Sequence, residues 1–114
     1  MNAIMLVNEN LSLQGLSKAE SKQLQINCLT NYMKTQHLKE KTLNPYQLNP
    51  YYTIPHALFY DIKETRQPVD YLLIHSYEAM QSFISMYPAR WILLKSFFRH
   101  TIYIEDDSRL ADLS

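Results

Sequence analysis

The sequence predicts an α/β fold: a small, mainly parallel sheet of about four strands flanked by helices. Three observations carry that expectation. Short apolar runs of strand length, Ala3 to Val7 and Tyr71 to Ile74, alternate with stretches of helical periodicity. The second run follows an aspartate and stops at His75-Ser76-Tyr77-Glu78, the pattern of a buried parallel strand that delivers side chains to its carboxyl end. A chain of 114 residues that is 46% apolar has enough material for one core. A single domain over residues 1–105 is therefore expected, with a polar tail at 106–114.

Each element has its own signal. Ala3 to Val7 reads as the first strand, ended by Asn8, Glu9 and Asn10. Ser17-Lys18-Ala19-Glu20 matches a capping box, so a helix should begin near Lys18. Leu24, Cys28, Leu29, Tyr32 and Met33 give that helix an apolar face as far as Lys34. A second strand is expected near Lys39 to Leu43. Pro45, Pro50 and Pro55 forbid a continuous helix through NPYQLNPYYTIP and disfavour a central strand, which leaves an ordered loop carrying Tyr46, Tyr51 and Tyr52. Pro55 suits the first turn of a helix over His56 to Glu64. Val69 to His75 is the next strand. Tyr77 to Met86 is helical with Met80, Phe83 and Ile84 inward, and Pro88 interrupts it. The helix resumes over Ala89 to Arg99 with Trp91, Leu94 and Phe98 on one face, and Thr101 to Glu105 closes the sheet.

Composition narrows the function. Eleven basic and eleven acidic residues cancel, so the chain lacks the charge of a dedicated nucleic-acid binder. Gly15 is the only glycine, which excludes both glycine-rich phosphate-loop motifs and implies no nucleotide cofactor bound through them. Cys28 is alone and reads as a buried, inert thiol. The histidines at 37, 56, 75 and 100 lack metal-ligand spacing, so no metal and no other cofactor is expected. No leader-like segment and no membrane-length apolar run occurs, and a cytoplasmic protein is expected by elimination.

Four stretches together resemble the N-terminal catalytic domain of serine recombinases, the resolvase and invertase family. Ala3 to Glu9 is similar to its first strand, and GLSKAESKQLQINCLTNYMK to the helix that follows. IPHALFYDIKETRQPVDYLLI resembles the R-P-x-L segment and third strand. HSYEAMQS and SFFRHTIYIED resemble the next turn, helix and closing strand. Carried over by position, the nucleophilic serine falls on Glu9, or on Asn8 with a one-residue slip. The neighbouring arginine falls on Val7 and that of R-P-x-L on Ile54. The turn's aspartate falls on Glu78 and its two arginines on Ala79 and Ser82. Phosphoryl transfer needs a nucleophile and cations, and these substitutions supply neither. The resemblance thus implies a catalytically inactive relative, of phage or mobile-element origin, without the family's dimerisation helix or DNA-binding domain.

The leading expectation is a non-catalytic regulator, inhibitor or adaptor that binds another protein. Tyr46, Tyr51, Tyr52 and Phe97 are the candidate contact residues, because tyrosine offers rigid amphipathic area at low entropic cost. Glu9, Ile54, Glu78, Ala79 and Ser82 are vestigial-site positions. One alternative is a small enzyme using Glu9, His75 and Glu78 at the strand ends. Another is an accessory DNA binder using Lys39, Lys41, Lys95 and Arg99, which the neutral charge disfavours. Lys95, Arg99 and His100 would then cluster at a helix C-terminus. The edge strands of so small a sheet leave a homodimer open.

Overall fold

The computed structural model describes residues 1–106. β1 (Asn2–Leu6) leads through a 3-10 turn (Leu13–Gly15) into α1 (Lys18–Thr35). Two short strands follow, β2 (Lys39–Glu40) and β3 (Tyr51–Tyr52), and then α2 (Pro55–Thr65). β4 (Val69–Ile74), α3 (Tyr77–Met86), α4 (Pro88–Lys95) and β5 (Phe98–Tyr103) complete the domain, and a 3-10 turn closes it at Ile104–Asp106. Every strand pairing is parallel. The order across the sheet is β2-β1-β4-β5, with β3 also on β1.

The alternation of β1 divides the core. Ala3, Met5 and Val7 point to one face, where Leu29, Tyr32 and Met33 of α1 cover them together with Leu73 and Ile104. Ile4 and Leu6 point to the other, among Leu58 and Ile62 of α2, Met80 of α3 and Trp91 and Leu94 of α4. A strand buried on both faces must be apolar throughout, which is why AIMLV and YLLI read as runs. At the opposite end of the strands from His75, Asn2 N–H donates to Asp70 at 2.9 Å, and Asp70 N–H donates to the Asn2 side chain at 2.8 Å. Arg99 on β5 pairs with the same aspartate at 3.6 Å.

Local signals are met where they were strong. Ser17 Oγ accepts from Glu20 N–H, and Glu20 Oε1 accepts from Ser17 N–H, a complete capping box. Pro55 and Pro88 each open a helix, where a missing N–H removes no hydrogen bond. With one glycine in the chain, His37 and Arg66 take the left-handed positions at the ends of α1 and α2. Such backbone costs about 1–2 kcal/mol for a residue with a Cβ.

Several expectations need correction. The strand near Lys39 to Leu43 is confined to Lys39–Glu40. Tyr51–Tyr52 is a strand and not part of a loop: β2 and β3 lie on the same edge of β1, opposite Asn2–Ala3 and Met5–Leu6, as one edge strand interrupted by residues 41–50. Ala89 to Arg99 is not one helix. α4 stops at Lys95, Ser96 caps it, and Phe98 opens β5 while still reaching the Trp91 and Leu94 cluster. Lys95, Arg99 and His100 therefore do not share a helix end, since Arg99 and His100 stand on β5. Of the predicted tail, Asp106 ends the closing 3-10 turn and 107–114 lie outside the described residues. Among the described residues no helix is long and apolar enough to cross a membrane.

Candidate functional site

The carboxyl ends of β1 and β3 open onto a small pocket of about 200 Å³. Past β1, Asn8 is held by Gln25, a fully buried residue of α1. Asn8 N–H donates to Gln25 Oε1 at 2.9 Å, and Gln25 Nε2 donates to Asn8 C=O at 2.9 Å. The amide thereby acts as a strand partner where the sheet has run out. Asn8 Nδ2 in turn donates to Ala79 C=O at 2.9 Å, and Ser21 Oγ accepts from Leu13 N–H at 3.2 Å. The turn between β1 and α1 is thus fixed from below.

Only some of the positions singled out by the resemblance converge there. Asn8, Ala79 and Ser82 line the pocket, with Thr53, Phe83 and Tyr87 among its other walls. Ile54 is the exposed residue that precedes α2. Glu9 turns to Lys22, 3.6 Å away, and Glu78 is exposed in the first turn of α3. No lining residue carries a formal charge. A pocket of amides, hydroxyls and apolar carbons offers nothing to offset a phosphate.

A larger cavity of about 360 Å³ lies on the α1 side, between that helix and the turn after β5. His75, one residue past β4, is 6% exposed and borders it. Its Nδ1 is buried without a hydrogen-bond partner. The Glu105 carboxylate lies beside it, with Oε2 at 4.0 Å, beyond hydrogen-bonding distance. Glu105 is held in place through its backbone, whose N–H donates to His75 C=O at 2.9 Å. Leu24, Cys28 and Ile104 supply apolar wall, and Gln14, with left-handed φ of 54°, stands at the rim. Burial, and then the Glu105 carboxylate, raise the Cys28 thiol above its ordinary value. A protonated thiol is a poor nucleophile. His75 thus lies beside Glu105, whereas Glu9 lies beside Lys22.

The third feature is the 41–50 excursion. Lys41 N–H donates to Ala3 C=O at 3.0 Å at one end, and Val7 N–H donates to Tyr52 C=O at 2.8 Å at the other. Inside, Asn44 Oδ1 accepts from Tyr46 N–H at 2.9 Å, and Gln47 N–H donates to Asn44 C=O at 3.0 Å. Leu43 is buried as a plug. Tyr46 and Leu48 between them are 88% and 95% exposed.

The four predicted contact residues separate. Tyr46 is free on the loop. Tyr51 is half-buried, with the Lys22 ammonium 5.6 Å from its ring. Tyr52 is in the core, and its hydroxyl donates to Asp61 at 2.7 Å. Phe97 is half-buried against Phe59, with ring centroids 6.1 Å apart. Tyr52 cannot present a surface, because β3 turns it inward against α2. Leu48 was missed, since a lone leucine between prolines carries no periodic signal. The four cations of the DNA-binding alternative are dispersed: Lys39 lies on one edge strand and Arg99 on the other, paired with Asp70. Among the described residues no group of three or more His, Cys, Asp or Glu side chains could hold a metal ion. Comparison with protein-family models, curated proteins and solved structures returns no match for this chain.

Proposed function

We propose that this domain is a non-catalytic protein-binding module, a regulator or adaptor, that contacts its partner through the 41–50 loop. The carrying observation is the near-complete exposure of Tyr46 and Leu48 on a segment pinned to β1 at both ends. Burial of a leucine side chain stabilises by roughly 1.5–3 kcal/mol, and that gain is forgone while Leu48 faces water. The Asn44 turn and flanking prolines hold the loop before binding, which lowers the ordering cost of association. Tyr46 supplies the aromatic anchor typical of interface hot spots. Tyr51 flanks the contact and Tyr52 supports it from the core. The charge-free pocket at the β1 end adds support for a non-catalytic role.

A second copy of the chain is a poorer occupant. One sheet edge carries exposed Lys39 and Glu40, and the other exposed Arg99 and His100. Charged edges disfavour strand-to-strand pairing. The test is a paired co-purification from the native cell of wild type and the double variant Tyr46→Ser, Leu48→Ser, followed by reconstitution with the purified partner. A stoichiometric partner held by wild type and lost from the variant supports the reading. Equal retention by both removes the loop from the interface.

A further inference from the structure

We propose that the outer face of α4 seats on an anionic lipid bilayer, with Ile92 and Leu93 entering the interface and Lys63, Arg90 and Lys95 meeting the headgroups. The inference rests on residues other than those of the 41–50 loop. α4 is apolar on its inner and its outer face alike. Trp91 and Leu94 are in the core, while Ile92 and Leu93 on the opposite side are 64% and 55% exposed. Ala89, three and four positions before them and so on the same face, is exposed as well. A helix that is apolar all round is normally covered on every side. A contiguous apolar patch left in water marks a contact surface.

The charges beside this face identify what covers it. Arg90 Cζ lies 4.8 Å from the centroid of the Phe59 ring, and Lys63 Nζ lies 6.0 Å from the same centroid. Lys95 Nζ lies 5.5 Å from the Trp91 ring. The rings hold these cations in place without neutralising them. Among the described residues none of the three forms an ion pair. The sequence has no carboxylate between Glu78 and Glu105. On α2, Asp61 accepts from the Tyr52 hydroxyl, and Glu64 stands about 140° round the helix from Phe59. A protein groove would have to desolvate the cations or match each with a carboxylate. At a bilayer, long basic side chains keep their charge at headgroup level while the aliphatic residues between them are buried. Aliphatic residues bordered by cations are the composition of helices that lie in a membrane interface. A second copy of the chain is disfavoured, because two cationic borders would meet across the contact.

The test mixes the purified full chain with vesicles of phosphatidylcholine alone, or of equimolar phosphatidylcholine and phosphatidylglycerol. The bound fraction is read by flotation at about 0.1 M salt. Partition should be roughly a hundredfold stronger on the anionic vesicles, about fivefold for each of the three cations. Ile92→Ser with Leu93→Ser should lower it by at least about tenfold at unchanged Tm, because both side chains already face solvent. Arg90→Gln with Lys95→Gln should lower it about 25-fold, and on the anionic vesicles only. Tyr46→Ser with Leu48→Ser should leave it unchanged, which separates this face from the 41–50 loop. The assignment is overturned if anionic vesicles carry no protein, or if phosphatidylcholine alone binds as strongly. It is overturned equally if the Ile92, Leu93 variant binds like wild type, since charge adsorption alone would then explain the binding. Loss of a dimer or of a stoichiometric protein partner from that variant, with no vesicle binding by wild type, would give the face to a protein contact instead.

Discussion

Gln25→Leu tests how the carboxyl end of β1 is held together. Gln25 is fully buried and makes two 2.9 Å bonds to the backbone of Asn8, one donated and one accepted. Leucine fills a similar volume, so the loss is polar and not a cavity. Each buried group left unpaired costs about 1–3 kcal/mol. Asn8 is half-buried and water can reach it, which argues for the low end of that range. The more favourable burial of leucine offsets part of the remainder. A net destabilisation of about 1–2 kcal/mol follows, or a fall in Tm on the order of 4–8 °C for a domain of this size. Thermal and urea melts followed by circular dichroism would measure it. Hydrogen exchange should locate it, with the Asn8 and Asn10 amides losing protection before the centre of β4. A Gln25→Leu variant within about 2 °C of wild type, or more stable than it, would refute the view that this amide extends β1.

Other consequences follow from single contacts. Ser17→Ala removes the Oγ that accepts from Glu20 N–H, leaving the backbone half of the capping box, and should cost about 1 kcal/mol, read as a shift in urea midpoint at unchanged m-value. Burial, reinforced by the Asp61 bond and charge, raises the Tyr52 phenol above its ordinary value. The folded state therefore holds that proton more tightly than the unfolded one. This contribution is fully present below about pH 10 and is lost as pH rises beyond it. Tyr52→Phe should accordingly be less stable than wild type at pH 7 by about 1 kcal/mol, with the gap narrowing above pH 10 in paired urea melts. A constant gap across that range would remove Tyr52 from the alkaline transition.

The fold was legible where burial dictates composition. β1 and β4 are covered on both faces and announce themselves as apolar runs, and Ser17 and Pro55 mark helix starts through chemistry local to the chain. What escaped was decided by contacts distant in sequence. The inward face of α1 is Ser21, Gln25, Leu29, Tyr32 and Met33. Two polar side chains sit on it because they serve the β1–α1 turn, while Leu24 flanks the cavity and Cys28, half-buried, packs against the core cluster and borders the cavity as well. A two-residue strand has no period, so Tyr51–Tyr52 was hidden by neighbouring prolines. Phe98 matched the helical spacing of Trp91 and Leu94, yet reached their cluster from β5. His75 was visible as a polar group at a strand end, but its relation to Glu105 depends on the closing turn folding back over α1.

The most direct measurement is binding of the purified partner to wild type and to the Tyr46→Ser, Leu48→Ser variant, by calorimetry at matched Tm. Both side chains lie almost wholly in solvent, so the variant should melt within about 0.5 kcal/mol of wild type. Loss of two hot-spot side chains should weaken binding by at least 2 kcal/mol, roughly thirtyfold. Undiminished affinity in a variant that folds normally would contradict the assignment of this loop as the working surface of the domain.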